Sequence, residues 1–518
     1  MLIRKGAMLL QVNDHTPITD VIPTAKALRY KGKLLVAVKH GLDEACVLRN
    51  LGLDAPSPLL YDGYQFSGRY TPMNHQVKTA EFLTLNRRAF VLSEMGTGKS
   101  SAALWAVDYL RQRGHVKRVL VVCPVSVTKV WADEGFTTTP HLSVGIMMGT
   151  RAKRLDVLAS GHPICVINFD GLTSLSKELK NKFDLIIVDE ASAYRNAQTK
   201  RWKALRSLLT PEIRLWMMAG TPVPNAPTDA WAQCRLVNPS SVPPSFKLFQ
   251  ETVMRQVGPY KWVPKDGSRG IVWSVMQPAI RFEKKDCIDL PPITYNNRYC
   301  ELSGDQLKAF ETMRKTMRHE DENVSITAAN AAVRVIKLQQ ICCGIVKDDM
   351  GDPVILDDAP RIDALLELLE EIEGKVIVFV PFIYVMQRLK QVLSEHYACV
   401  VVNGSVHSTE RSRIFSEFQN DPTGPKVLIA HPQTTAHGLT LTAASNIIWY
   451  APIFSIEQYE QANARIDRTG QTNACTVTHI GAHPFEWAIY KALQAKASLQ
   501  SALLQLYKQV LDGNIRDV

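Results

Sequence analysis

Ten short runs of apolar, mostly β-branched residues, arranged as two sets of five, constrain this chain more than any other feature. The first set is AFVL (89–92), VLVVC (119–123), ICVIN (164–168), LIIV (185–188) and LWMM (215–218). The second is VIVFV (376–380), CVVV (399–402), VLIA (427–430), NIIWY (446–450) and TVTHI (476–480). A continuous apolar run of four or five residues is what a strand buried on both faces needs. Strands that alternate with helical stretches pair in parallel through right-handed crossovers. The pattern predicts an α/β chain with two five-strand modules. At 46% hydrophobic residues over 518 positions the chain can fill two such cores, which excludes wholesale disorder.

Between the two sets the texture changes. Residues 239–270 are rich in proline, glycine and serine (NPSSVPPSF, VPKDGSRG) and read as loops, whereas residues 303–345 read as mostly helical. The boundaries that follow are 1–66 for an N-terminal accessory region of mixed pattern, 67–238 for the first module and 239–355 for an insertion or linker. The second module takes 356–484, and 485–518 form a C-terminal helix with apolar residues at i, i+3, i+4 and i+7. No apolar run approaches the ~20 residues of a membrane span. The start MLIRKGAMLLQVNDH is broken by Gly6 and closed by Gln11, Asn13 and Asp14, unlike a signal peptide. The ten cysteines include no Cys-x-x-Cys pair, which speaks against structural zinc and for a reducing, cytoplasmic compartment. Lys and Arg number 60 against 50 Asp and Glu. The surplus of +10 suits a polyanionic partner without identifying one.

Three motifs carry chemistry. SEMGTGKS (93–100) lies between the strand AFVL and the helical SAALWAVDYL, the context of a phosphate-binding loop. Gly96 and Gly98 let the backbone curl its N–H groups toward a phosphate, and the following helix dipole adds to their field. Lys99 would bridge the β- and γ-phosphates and Ser100 would ligate Mg²⁺. Ser93 stands where the usual pattern opens with glycine. LIIVDEAS (185–192) ends a buried strand on two carboxylates, at the sheet edge where ligands of open α/β sheets sit. Asp189 can hold Mg²⁺ and Glu190 can take a proton from an attacking water. Alone, the pair would serve equally as a helix N-terminal charge; about ninety residues after a phosphate loop, it reads as that loop's acid. QANARIDRTGQ (461–471) sets Arg465 and Arg468 three apart, predicted to share one side of a helix. Arginines supplied from outside a phosphate loop stabilise the charge of phosphoryl transfer, although on spacing alone they are equally surface arginines paired with Asp467 or Glu460.

With these motifs in order, the chain resembles superfamily-2 helicases and, within them, the Swi/Snf-type DNA translocase ATPases, from about residue 70 to about 495. TPMNHQ (71–76) resembles the Q motif, which makes Gln76 the expected adenine reader. CPVSVTKVWADE (123–134) resembles motif Ia, VINFDGLTS (166–174) the next nucleic-acid-contacting motif, and MAGTPVPNAPTDAW (218–231) motif III. GSVHSTERSRIFSEFQ (404–419) and TTAHGLTLTAASNIIWY (434–450) resemble motifs IVa and V, and RIDRTGQ motif VI. The Gly-Leu-Thr of motif V and the Asn-Phe-Asp at 168–170 lean toward the annealing-helicase branch, in a minimal form such as a phage would encode.

The resemblance implies two RecA-like parallel-sheet lobes with a helical insertion between them and ATP held between the lobes. It implies nucleotide contacts from Gln76, Met95, Gly96, Thr97, Gly98, Lys99, Ser100 and Gln461, and Mg²⁺ on Ser100 and Asp189. Nucleic-acid contacts are expected at Pro124, Ser126, Asn168, Gly220, Thr221 and Gly438. Two departures stand out: Ser192 replaces the usual histidine of motif II, and residues 239–355 match poorly. The implied function is an ATP-driven translocase on double-stranded or forked DNA, independent of base sequence, that remodels, anneals or branch-migrates it. A strand-separating helicase on DNA or RNA, and a nucleotide-gated binding protein, remain open alternatives. Two further features stay double-valued. Residues 191–211 carry Arg195, Lys200, Arg201, Lys203 and Arg206 with no acid, either a solvated helix face or a backbone-tracking patch. Lys129 and Trp131 are either a nucleic-acid-contacting pair or, for Trp131, part of the core.

Overall fold

The computed structural model describes residues 1–495 except 5, 221–222, 224–225, 259–260, 288–290, 322–327, 348–352, 436–439 and 469. The chain forms two compact units, Met1–Cys287 and Ile288–Val518.

The first unit opens with four strands, β1 (Leu2–Arg4), β2 (Ala7–Gln11), β3 (Lys26–Tyr30) and β4 (Lys33–Lys39), in an antiparallel sheet of order β1-β2-β4-β3. Its inner face (Met8, Leu10, Val36, Val38) packs on Ala45 and Leu48 of the helix Leu42–Asn50. This accessible alternation, one side buried and one side open, is the usual economy of an antiparallel sheet. Residues 62–67 then fasten to the helix Lys99–Gln112. Tyr64 Oη donates to Asp108 (2.9 Å), Trp105 Nε1 to the Ser67 carbonyl (3.0 Å), and Tyr109 Oη to Asp62 (2.8 Å).

The main sheet of this unit contains β5 (Arg88–Val91), β6 (Val119–Cys123), β7 (Val144–Met147), β8 (Ile164–Asn168), β9 (Leu185–Asp189) and β10 (Arg214–Met218). After the hairpin β11 (Met254–Gly258) and β12 (Lys261–Pro264), the short strand β13 (Ala279–Ile280) joins its edge, giving the order β13-β5-β10-β9-β6-β8-β7, with every pairing parallel. Residues 239–276 are not a detached loop. Val242, Phe249, Val253, Met254, Val272 and Met276 are buried in the core on one face of this sheet.

The second unit begins with β14 (Ile293–Tyr299), the helices Gly304–Asp321 and Ala328–Cys342, and the hairpin β15 (Ile345–Lys347) and β16 (Pro353–Ile355). Its sheet adds β17 (Lys375–Phe379), β18 (Cys399–Val402), β19 (Val427–Ala430), β20 (Ala444–Trp449) and β21 (Cys475–Gly481), in the order β14-β21-β20-β17-β19-β18, again all parallel. A buried ion pair holds this unit at one end. Arg361 bonds Glu486 (2.8 Å) and the carbonyls of Cys342, Tyr450 and Ile480, with both side chains fully enclosed.

All ten predicted strands are present with ends displaced by at most two residues. The sheets are larger than predicted, seven and six strands rather than five. The additions are edges: β7 is only half buried and contains Gly145, β13 is two residues long, and β14 (ITYNNRY) is largely exposed. Edge strands of this kind lack the apolar run by which central ones are read. No helix among the described residues is long and apolar enough to cross a membrane. Of the predicted C-terminal helix, Pro484–Gln494 is described and the remainder lies outside the described residues.

Candidate functional site

In the first unit β10 lies between β5 and β9, with Met218 in register with both Val91 and Asp189. The glycine loop leaving β5 and the acid pair ending β9 thus occupy one sheet edge, two strand spacings or about 10 Å apart. Gly96 (φ 80°) and Gly98 (φ 71°) take left-handed backbone conformations that other residues adopt only with strain. Gly98 has a second reason to be glycine. A Cβ there would lie 2.0 Å from Gln76 Nε2. Lys99 folds back over the loop, donating from Nζ to the carbonyls of Ser93 (2.9 Å) and Glu94 (3.0 Å), and Thr97 Oγ1 donates to Glu94 O (2.8 Å).

The loop is braced from two sides. His75 Nε2 meets the Thr97 carbonyl at 2.8 Å, and Gln76, whose Oε1 accepts from Met73 N (2.8 Å), lies against Gly98. On the other side Ser93 is buried and its Oγ accepts from Phe282 N (3.1 Å), while the Glu94 carboxylate accepts from Lys284 N (2.9 Å). The serine in a glycine's place is therefore a hydroxyl with a use: it ties the loop to the segment following β13. Gly220 also belongs here, since a Cβ on it would come within 2.9 Å of Met95 Cγ. Ser100, in the first turn of the helix Lys99–Gln112, is partly exposed.

Both oxygens of Asp189 accept hydrogen bonds: Oδ1 from Glu190 N (3.2 Å) and Oδ2 from the indole Nε1 of Trp131 (2.9 Å). Glu190 has φ 64°, a left-handed conformation uncommon for a non-glycine residue and a mark of functional positions. Trp131 is 2% exposed, so its ring is core and its N–H is a brace on the acid. Its helix, Thr128–Thr138, is tied to the phosphate-loop helix as well, because Glu134 accepts hydrogen bonds from Ser101 and Thr138.

The predicted nucleic-acid contacts separate. Pro124 is buried, whereas Ser126 is partly exposed beside exposed Val125 and Lys129. Asn168 is 8% exposed with its Oδ1 buried and unbonded. Thr221 and Gly438 lie outside the described residues. Lys200, Lys203 and Arg206 are exposed on the helix Lys200–Leu208, and the Arg201 guanidinium lies 5.4 Å from the centre of the Phe169 ring.

In the second unit the helix Ile456–Asn463 ends before both arginines, which corrects the prediction that they share a helical face. Arg465 lies in the turn that follows the helix and Arg468 in a bend two residues before Gly470 (φ 99°). Each guanidinium is anchored four residues back: Arg465 Nε donates to Gln461 O (2.8 Å) and Arg468 Nε to Ala464 O (2.9 Å). Arg465 is 2% and Gln461 1% exposed. The turn is held by Gln471, which sequence reading passed over. Its Nε2 donates to the carbonyls of Ala444 (3.0 Å) and Ile466 (3.1 Å), and its Oε1 accepts from the backbone of Thr472 and Asn473.

Comparison with known proteins gives two family matches, the SNF2-related domain over residues 75–347 and the helicase conserved C-terminal domain over 360–470. Protein p41 of Acyrthosiphon pisum secondary endosymbiont phage 1 is 25% identical over 477 residues, covering 85% of this chain and 99% of that protein. The uncharacterised ATP-dependent helicase MG018 of Mycoplasma genitalium is 25% identical over 455 residues (86% of this chain, 43% of that protein). Human ZRANB3, a DNA annealing helicase and endonuclease, is 23% identical over 458 residues (84% and 40%). The chain thus spans p41 almost end to end and under half of the other two. Among solved structures, the Sulfolobus solfataricus SWI2/SNF2 ATPase core in complex with dsDNA aligns with TM-score 0.41 and 21% identity over 87% of this chain and 95% of that one.

Proposed function

Because the chain belongs to the SNF2-related family, we propose that it is a nucleic-acid-stimulated ATPase that translocates on double-stranded or forked DNA and uses that motion to remodel, anneal or branch-migrate it. The observation that carries the reading is the single sheet edge bearing both the braced glycine loop and the Asp189–Glu190 pair. A pure binding protein has no need of a strained acid aligned beside a phosphate cradle.

The loop amides and Lys99 neutralise the triphosphate, and Gln76, wedged on Gly98, is assigned to the base. Among the described residues no cluster of three or more His, Cys, Asp or Glu could hold a metal alone. That fits Mg²⁺, which takes one or two protein oxygens and completes its shell with water and substrate phosphates. Ser100 and Asp189 supply hard oxygens of that kind, and the ion when bound neutralises charge on the transferring phosphoryl group. Glu190 takes the proton of the attacking water. We assign Arg465 and Arg468 to the charge that develops on the γ-phosphate, a role worth roughly 10³–10⁵ in rate. Contacts at Ser126, Asn168 and Lys129 address phosphate oxygens, so affinity is independent of base sequence and falls with salt at a log–log slope of roughly −0.9 per phosphate neutralised. Ten free cysteines fit a reducing, cytoplasmic setting.

The reading is tested by steady-state ATP hydrolysis with no nucleic acid, single-stranded DNA, duplex DNA, forked DNA and RNA. Strongest stimulation by duplex or forked DNA is expected. Lys99→Ala and Glu190→Gln should each abolish turnover and leave DNA affinity largely intact. Retained turnover in either variant removes the assigned roles, and stimulation by single strands or RNA alone moves the chain to strand separation.

A further inference from the structure

The N-terminal sheet has an open face that neither the ATP site nor the helicase motifs account for. Residues 1–41 carry seven Lys and Arg against two Asp, half of the chain's formal surplus of +10, and residues 21–41 carry five with no acid at all. The strand register sorts them. Cross-strand partners Lys26–Ala37, Leu28–Leu35 and Tyr30–Lys33 share the face opposite the core, and β2 adds Leu9 beside Ala37 and Ala7 beside Lys39. Every residue of β3 is exposed, including Leu28 (39%) and Tyr30 (59%), as are Lys33 and Lys39.

The tip of the hairpin adds another cation at a conformational cost. Lys31 (φ 49°) and Gly32 (φ 75°) both take positive φ, as a two-residue type I′ turn requires. Asn or Asp is favoured at the first of these positions. A lysine there costs on the order of 1 kcal/mol, and its ammonium stands 5.5 Å from the Tyr30 ring.

We propose that this face is a second nucleic-acid contact, which takes unpaired strand, with phosphates on Lys26, Lys33 and Lys39 and a base stacked on Tyr30. From Lys33 to Lys39 the strand runs about 20 Å, enough to track several nucleotides. Charge complementarity selects a polyanion. The exposed Tyr30 ring and Leu28, lying among the lysines, suit the faces of splayed bases rather than the stacked interior of a duplex. The proposal deepens the translocase reading, since a motor on forked DNA meets both duplex and single strand. It does not depend on ATP.

Binding of the full chain to labelled oligothymidylate, blunt duplex DNA and phosphatidylserine-containing vesicles, followed by fluorescence anisotropy over a salt series, tests it. Tyr30→Ala should weaken oligothymidylate binding roughly 5- to 100-fold with the salt slope unchanged, and Tyr30→Phe should restore it. Lys26→Ala/Lys33→Ala/Lys39→Ala should flatten the slope by about 2, and hydrolysis without nucleic acid should be unaltered in all variants. The same losses are expected in a Lys99→Ala background. They would persist even if duplex DNA failed to stimulate the wild-type ATPase, so failure of the motor reading and failure of this one are told apart. Unchanged oligothymidylate binding in both Tyr30→Ala and the triple variant overturns the proposal, as does a loss confined to vesicles.

Discussion

At the scale of single residues, the chemistry most open to direct test is the brace on Asp189. Lys99, Asp189 and Glu190 are legible in the sequence because each sits in a contiguous motif bounded by a strand. The partnership of Trp131 with Asp189 is not, because 58 residues separate them and only the adjacency of β6 and β9 brings them together. Trp131→Phe keeps the ring and deletes the N–H. A loss of roughly tenfold in turnover, the scale of one hydrogen bond to a charged group, is expected, with a raised Mg²⁺ requirement and a melting temperature close to wild type. Trp131→Ala should instead cost about 3–5 kcal/mol of stability. Equal Mg²⁺ titrations for wild type and Trp131→Phe would show that the hydrogen bond orients nothing. A second residue-level prediction concerns His479, fully buried against Tyr459 (Oη to Nε2 2.8 Å), whose pKa burial pushes down from 6.5 to about 4. The folded state keeps this ring neutral while the unfolded chain protonates it, so stability is present above pH 6.5 and is lost as pH falls toward 4. The slope approaches 1.4 kcal/mol per pH unit within that window. Urea midpoints at pH 7, 6 and 5 should fall for the wild type and fall less steeply for His479→Gln.

At the scale of elements, sequence pattern revealed the central strands and overlooked the edges. β14 pairs with β21 over seven residues yet reads ITYNNRY, because an edge strand with exposed side chains carries no apolar run. The arginine segment departs from the helix expected of it for a different reason: a spacing of three fits a helix face and a turn followed by a bend alike, and the helix ends at Asn463, ahead of both arginines, with the chain beyond held by Gln471. Equally hidden was the segment after β13, which the sequence presents as the end of a loop-rich stretch but which bonds Ser93 and Glu94 of the phosphate loop. The helix Pro484–Gln494 is tied by Glu486 to the buried Arg361. Glu486→Ala leaves a buried guanidinium short of its counter-charge and should cost roughly 3–5 kcal/mol. Limited proteolysis and calorimetry should show the loss in Ile288–Val518, with the transition of Met1–Cys287 unmoved. A uniform shift of both transitions would contradict this division.

At the scale of the whole molecule, the chain divides into two parallel-sheet units: the phosphate loop and the acid pair lie in Met1–Cys287, and Arg465 and Arg468 lie in Ile288–Val518. The motifs of each unit were legible because each is a contiguous run in strand–loop–helix context. The N-terminal sheet was not, since its alternation is interrupted by turns and its open face mixes leucine with lysine. The proposed motor couples ATP hydrolysis to movement along duplex DNA. Its most direct test is displacement of a labelled third strand from a DNA triplex, read on a native gel. The wild type should release the third strand only with hydrolysable ATP and Mg²⁺, and neither Lys99→Ala nor Glu190→Gln should release any. DNA-stimulated hydrolysis with no displacement, or displacement that survives in Lys99→Ala, would contradict a translocase.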